Sequence, residues 1–325
     1  MYGKDGQHEY QLSQLEGALA PLLREIIETK KLPPSWSPGH ETLCVLTLVQ
    51  FARTAHSADA LDDMADGFWR HVLAKDPRVS SDMLDNVRIG LNDPANLAVS
   101  IVLQSYHLIM DMTVRLLEAH AGGEFITSDN PVVLYNQLLE FEKFGASTGL
   151  VQKGLQIFFP LSPRYALMFY DSDVYRVSPP GSMPLSVPTL SDMEEINALQ
   201  VVGALENVYF TSPKSNVFRV VERGQCFRRE KKTSMIVMPE RETLTGFSQL
   251  IASGREDVRT DLSLTFTKLL KPAKRWREER KKPGPKRIVV PRDPNLLREH
   301  ENFQLLVKQG RYQPAEFVKY LNERG

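Results

Sequence analysis

Apolar positions in the first third of the chain recur at helical spacing. Leu12, Leu15, Leu19, Leu22, Leu23, Ile26 and Ile27 share one stripe of a helix that Pro21 kinks or starts. Pro33, Pro34 and Pro38 then make a stiff break. Residues 41–55 are apolar nearly all round (Leu43, Val45, Leu46, Leu48, Val49, Phe51), the pattern of a buried helix. A second amphipathic stretch carries Leu61, Met64, Phe68, Trp69, Val72 and Leu73. Asp93 before Pro94 pairs a cap with a first-turn proline, so a helix is expected from there to about His120, closed by Gly122-Gly123. Its apolar residues cover most of the circumference, which makes it the expected central helix of the N-terminal part.

From Glu124 onward short β-prone runs replace the helical pattern. Residues 125–127, 155–159, 165–170 and 174–177 read as strands, punctuated by Pro160, Pro163 and the turn Asp171-Ser172-Asp173. Residues 178–189 hold four prolines and read as an irregular surface loop. Ser191-Asp192-Met193-Glu194 reads as a capping box opening a helix with Ile196, Leu199, Val202 and Leu205. Residues 208–210 and 234–238 read as further strands, and residues 214–230 carry no assignable pattern. A basic linker follows, then a helix opened by Asp293-Pro294 and a short helix near residues 314–321. The expected class is α+β: a helical N-terminal part packed on a small mixed or antiparallel sheet, with a basic linker and short C-terminal helices. The expected divisions are 1–121 and 122–265, together one domain, and 266–325.

Composition narrows the function classes. The 40 basic and 40 acidic residues cancel, so no global field points to a nucleic-acid or membrane partner. The balance conceals a basic run at residues 271–287, where nine Lys and Arg face only Glu278 and Glu279. Cys44 and Cys226 are far apart and form neither a disulfide framework nor a zinc spacing. The N-terminal residues lack the apolar core of a signal peptide, and the apolar stretch 94–119 is interrupted by His107, Asp111 and Arg115. The expectation is a soluble protein of the reducing cytosol with no membrane contact.

No phosphate-binding loop, dinucleotide fingerprint, nucleophile elbow or His-Glu-x-x-His zinc motif occurs. Chemistry therefore has to come from scattered residues. Asp129 and Asn130 sit in a turn fixed by Pro131 and preceded by Thr127 and Ser128, two candidate binding residues. A carboxylate at a strand end can hold a divalent cation or take a proton, and the neighbouring amide can orient substrate. The same pair also serves a turn that merely reverses the chain. Arg53, after the buried helix, suits either a bound anion or the helix C-terminal dipole. Asn197 lies in a core-forming helix and either lines a cleft or satisfies a backbone group, and His107 reads as a hydrogen-bonded core histidine. In the basic run, Lys274, Arg275 and Arg277 flank Trp276, a combination that binds phosphates and stacks bases in single-stranded nucleic acid, or forms a solvated linker.

Four segments carry a resemblance to a bacterial family of unknown function, DUF4238. They are Gln50-Phe51-Ala52-Arg53-Thr54, Phe125-Ile126-Thr127-Ser128-Asp129-Asn130-Pro131-Val132, Phe159-Pro160-Leu161-Ser162-Pro163 and Glu195-Ile196-Asn197-Ala198-Leu199-Gln200. They occur in the family's order, and the resemblance covers roughly residues 10–212. Members of that family begin with a segment rich in His, Pro, Gln and Tyr, which is not found here, so the expectation is either a shortened member or a missing N-terminal piece. The resemblance implies a shared fold and a shared site, with no reaction attached.

Three functions are compatible with these residues, one of them a ligand-sensing pocket between the helical part and the sheet, for which the sequence names no ligand; the other two are more specific. The first is a binding or regulatory module that uses the basic run on nucleic acid, with Asp129 and Asn130 structural. The alternative is a Mg²⁺-dependent nuclease-like effector of phage defence, with Asp129 as metal ligand and Asn130, Arg53 and Asn197 completing the catalytic group. No other cofactor is implied.

Overall fold

Tyr165, Ala166, Leu167, Met168, Phe169 and Tyr170 leave no polar side on either alternating face, so a strand made of them must be covered twice. A computed structural model describes residues 7–142, 147–181, 183–212, 216–228, 233–237, 241–243, 246–248, 251–255, 258–284, 287–314 and 316–324. In it this run is the middle strand of a five-stranded sheet.

The chain begins with α1 (Gln7–Thr29), α2 (Pro38–Ala52), α3 (Ala55–Leu73), the short α4 (Ser81–Asp85), α5 (Pro94–Leu103) and a 3-10 turn, Tyr106–Ile109. Strands β1 (Thr113–Glu118), β2 (Thr127–Ser128), β3 (Val133–Tyr135), β4 (Gln156–Pro160), β5 (Tyr165–Tyr170), β6 (Tyr175–Val177) and β7 (Leu185–Ser186) follow. Next come α6 (Leu190–Gly203), β8 (Val208–Tyr209) and α7 (Asn216–Phe227). Strands β9 (Thr233–Val237), β10 (Arg241–Thr243), β11 (Gly246–Ser248), β12 (Ile251–Arg255) and β13 (Thr267–Leu269) lead to α8 (Lys271–Lys281), α9 (Pro294–Lys308) and α10 (Phe317–Asn322). The main sheet runs β3-β4-β5-β1-β7, antiparallel except for the parallel pair of β1 and β7. Short two-stranded ribbons pair β2 with β8 and β6 with β13.

Alternate residues of the sheet feed two separate cores. Leu116, Ile157, Phe159, Leu167 and Phe169 join Leu43 and Leu48 of α2, Ala98 and Val102 of α5, Phe303 of α9, and Phe317 and Tyr320 of α10. Leu117, Phe158, Ala166, Met168 and Tyr170 join Met193, Ile196 and Leu199 of α6, then Leu262, Leu264, Phe266 and Ala273. Burying a side chain of this size contributes about 1.5–3 kcal/mol, so each layer is a major stabilising term. The architecture is α+β, as the sequence pattern indicates.

Several boundaries differ from the sequence expectation. The helix expected from Pro94 to about His120 ends at Leu103; the 3-10 turn follows, and Thr113–Glu118 is strand β1, paired with all of β5. An apolar run that covers every face suits a strand buried on both sides as well as a buried helix, and β5 supplies the partner that decides it. Pro21 lies inside α1. The cap of α6 is Thr189, whose hydroxyl oxygen accepts the Asp192 N–H, so the box begins two residues earlier than Ser191. Within the proline-rich segment 178–189, Leu185–Ser186 pairs with β1. The unassigned segment 214–230 contains α7, and the expected basic linker is helix α8 over Lys271–Lys281. Pro285, Lys286 and Met238, all parts of sequence readings, lie outside the described residues.

The C-terminal helices are fastened to the 3-10 turn. Arg292 donates two hydrogen bonds of 2.7 Å to the Asp111 carboxylate and a third, also 2.7 Å, to the Leu108 carbonyl. A ring nitrogen of the fully buried His107 meets one of His300, and the His107 ring stacks on Phe317 at 4.1 Å between centroids. Burial, with the neighbouring His300 as a smaller cause, pushes His107 down to about 3. Burial pushes the Glu140 carboxyl the other way, up to about 7.

Two stability measurements test this packing. Gly224 of α7 lies so close to α6 that an added Cβ would stand 2.5 Å from the Val201 Cβ. Gly→Ala inside a helix ordinarily gains about 1 kcal/mol. Here Gly224→Ala is expected to lose about 1–3 kcal/mol in urea denaturation, because the helices must part; a gain in stability would contradict the contact. The second concerns pH. Because folding lowers the affinity of His107 for protons, the unfolded chain takes up a proton first, and this contribution to stability is lost as pH falls from about 6.5 toward 3. Glu140 has the opposite sign, losing its contribution as pH rises from 4.5 toward 7. The stability difference between wild type and His107→Phe, followed by urea melts across this range, should therefore shift against wild type as the solution is acidified. A pH-independent difference would refute it.

Candidate functional site

Helix α6 is buried around nearly its whole circumference, yet it carries Asn197 and Gln200 three residues apart, on one face. Amides buried in such a helix require partners. They find them in the extended segment 124–131. Asn197 accepts the Ile126 N–H at 3.1 Å and donates to the Glu124 carbonyl at 2.8 Å. Gln200 donates to the Pro131 carbonyl at 2.9 Å, and its side-chain oxygen lies 3.0 Å from the Ser128 hydroxyl. The two amides thus stand in for a neighbouring strand.

Asp129 and Asn130 hold the end of the same helix. The chain leaves α6 through Ala204 with extended backbone, which frees the following N–H groups. Asp129 accepts three of them, from Leu205 at 2.7 Å, Glu206 at 2.7 Å and Asn207 at 2.8 Å. Its own N–H donates to the Asn207 carbonyl. The Asn130 side chain donates to the Gly203 carbonyl at 3.1 Å, and its oxygen is buried with no partner among the described residues. Beyond this junction β8 returns to pair with β2, setting Thr127 opposite Tyr209 and Ser128 opposite Val208. A cleft of about 80 Å³ opens along the first half of α6, between the Gly122-Gly123 loop, α6 and α7. Met193, Val217 and Val220 supply its apolar wall, and Glu124, Glu194 and Asn197 its polar rim. Glu124 accepts the Ser212 N–H, and Glu194 lies 3.6 Å from Arg219.

Asp129, Asn130 and Asn197 therefore meet at α6, and Thr127 and Ser128 stand with them. Arg53 is placed elsewhere. It is the C-cap of α2, its N–H bonded to the Val49 carbonyl, in the helical layer that covers the opposite sheet face. The chemistry open to Asp129 is that of a carboxylate already holding three backbone donors. Among the described residues no three His, Cys, Asp or Glu side chains gather as a metal site. Both oxygens of the Asp129 carboxylate accept from these backbone groups.

The basic run presents a different surface. On α8, Ala273, Trp276, Arg277 and Arg280 turn toward the body of the protein, at helical spacing. Trp276 packs on the second core with Arg280 at 5.2 Å and Lys153 at 6.0 Å from its ring. Arg277 lies 5.6 Å from the Phe141 ring, and Arg280 is paired with Glu142. Lys271, Lys274 and Arg275 are exposed. Gln200 was not singled out from the sequence, although a second amide three residues after Asn197 in an apolar helix is the signal that finds it.

Replacing Asp129 by Ala leaves three backbone donors without their carboxylate. Hydrogen bonds to a charged group contribute about 1.5–3 kcal/mol each, in part recovered by water at the exposed positions. We expect Asp129→Ala to lose about 3 kcal/mol in thermal or urea unfolding, with Asp129→Asn intermediate. Unchanged stability in the Ala variant would show that these donors do not depend on the side chain.

No curated protein and no solved structure matches the chain. A family model described as a protein of unknown function, DUF4238, matches residues 1–214, which include the sheet, α6 and the Asp129 junction. With more than half of its length matched, the chain belongs to the DUF4238 family.

Proposed function

We propose that this chain is a binding or regulatory module of the reducing cytosol that engages nucleic acid through the basic run 271–287. The observation that carries this reading is the division of α8. One face is spent on docking, while Lys271, Lys274 and Arg275 face solvent with no ion pair among the described residues. Toward the other end of the helix, Lys281 is bonded to Glu278 and Lys282 to Glu279, each at 2.8 Å. The unpaired charge is thus collected at the start of the helix. Uncompensated cations at a helix N-terminus oppose the macrodipole, so folding alone gives no reason for them there. A phosphate backbone does, because each neutralised phosphate releases counterions.

The engagement of Asp129 with three backbone N–H groups supports this reading over a Mg²⁺-dependent nuclease effector of phage defence. Fluorescence anisotropy with labelled DNA and RNA tests it. The full chain should bind with an affinity that falls steeply between about 50 and 200 mM salt. The triple variant Lys271→Glu/Lys274→Glu/Arg275→Glu should bind at least about tenfold more weakly at the lower salt, with an unchanged melting profile. Equal binding by the variant would sink the proposal. So would cleavage in Mg²⁺ or Mn²⁺ that Asp129→Ala abolishes at a temperature where that variant is folded.

A further inference from the structure

The cations at the start of α8 are not alone. Strand β13 runs directly into the helix and pairs with β6 so that Thr267 faces Val177, Lys268 faces Arg176 and Leu269 faces Tyr175. Val177, Tyr175 and Thr267 are buried, whereas Arg176 and Lys268 are exposed. The ribbon therefore buries one side and sets two like charges opposite each other on the other. Directly opposed like charges destabilise a strand pair. Neither residue is ion-paired among the described residues. Lys271 follows Lys268 by three residues, at most about 11 Å of chain. Arg176 and Lys268 thus stand opposite each other on the exposed side of the ribbon, and the exposed Lys271, Lys274 and Arg275 follow Lys268 closely in the chain, a group of five cations drawn from two strands and a helix.

Resting on the nucleic-acid reading above, we infer that this group of cations is the seat of a nucleic-acid duplex, held by its phosphate backbone without regard to base sequence. The chemistry of the group selects that ligand. Binding a single strand relies on exposed aromatic side chains on which bases stack. The aromatic residues nearest these cations are used internally: Tyr175 is buried with its hydroxyl on the Gly154 carbonyl, and Trp276 lies against the core beneath Arg280. Reading bases would require amides or guanidinium groups on a protruding element that enters a groove. Here the cations lie on a ribbon and on the flank of a docked helix. What remains is backbone charge, and a duplex offers the densest regular array of it, about one charge per 1.7 Å of axis.

The test uses the full chain, a mixed-sequence duplex, its GC-rich and AT-rich counterparts and the separated strands. Arg176→Gln/Lys268→Gln removes two cations that lie outside the run 271–287 and relieves a repulsion, so its melting temperature should hold or rise. The slope of log Kobs against log salt should fall by about 1.8 in this variant, at about 0.9 per phosphate contact, with binding weakened about tenfold. The three duplexes should bind wild type equally, and the single strands more weakly. An unchanged slope in the folded variant would overturn the inference while leaving the binding module intact. Tighter binding of single strands, or a marked preference among the duplexes, would also overturn it. No nucleic-acid binding by wild type, with capture of an acidic polypeptide such as polyglutamate instead, would remove the reading beneath it as well.

Discussion

Strand β5 is buried on both faces, and this double cover is the constraint on which the rest of the fold depends. Six consecutive buried residues cannot be served by one hydrophobic layer. The N-terminal helices supply one cover and α6 the other, but neither cover is complete with the residues that lead up to α7. Phe303, Phe317 and Tyr320 finish the first core, and Leu262, Leu264 and Phe266 finish the second. The family match ends at residue 214, yet the segments that follow it are built into both hydrophobic cores. The distant segments 7–142 and 287–324 are tied by Arg292 on Asp111 and by the His107–His300 contact.

The junction of α6 with the segment 124–131 shows how a polar cluster can serve structure. Extended backbone beside a buried helix has N–H and C=O groups that water cannot reach, and an unmatched buried group costs about 1–3 kcal/mol. Asn197, Gln200 and Asn130 supply such partners from side chains, where a sheet would supply them from a neighbouring strand, and Asp129 gathers the N–H groups of Leu205, Glu206 and Asn207 at the more open end of α6. One oxygen, that of Asn130, is buried there without a partner among the described residues.

Much of this architecture was legible in the sequence, and the exceptions have separate physical causes. Helix α2, the helix start at Asp93-Pro94, strands β4 and β5 and the C-terminal helices follow from local pattern. The run from Gln104 to His120 did not, because all-round apolarity is common to buried helices and two-faced strands, and only pairing with β5 separates them. Helix α7 places Val217, Val220, Val221 and Gly224 on one face and Arg219, Glu222 and Arg223 off it, an amphipathic pattern that the sequence does contain. At the site, the grouping of Asp129, Asn130 and Asn197 was readable as a set of polar residues. Their partners were not, since they are backbone N–H and C=O groups, which carry no sequence signature. The position of Arg53 on the opposite layer is likewise a matter of topology.

The two-sided strand also has a consequence in time. A chain made from its N-terminus presents β5 and its neighbours to solvent well before the residues that close over them exist. The helices before β1 can gather on one face early, but that core stays open until Phe303, Phe317 and Tyr320 have been synthesised. Contacts between residues so distant in sequence form slowly, and an uncovered apolar sheet invites wrong strand pairing in the interval. The hazard during biosynthesis is thus greatest between completion of β5 and arrival of α10, a period fixed by the order of the segments along the chain.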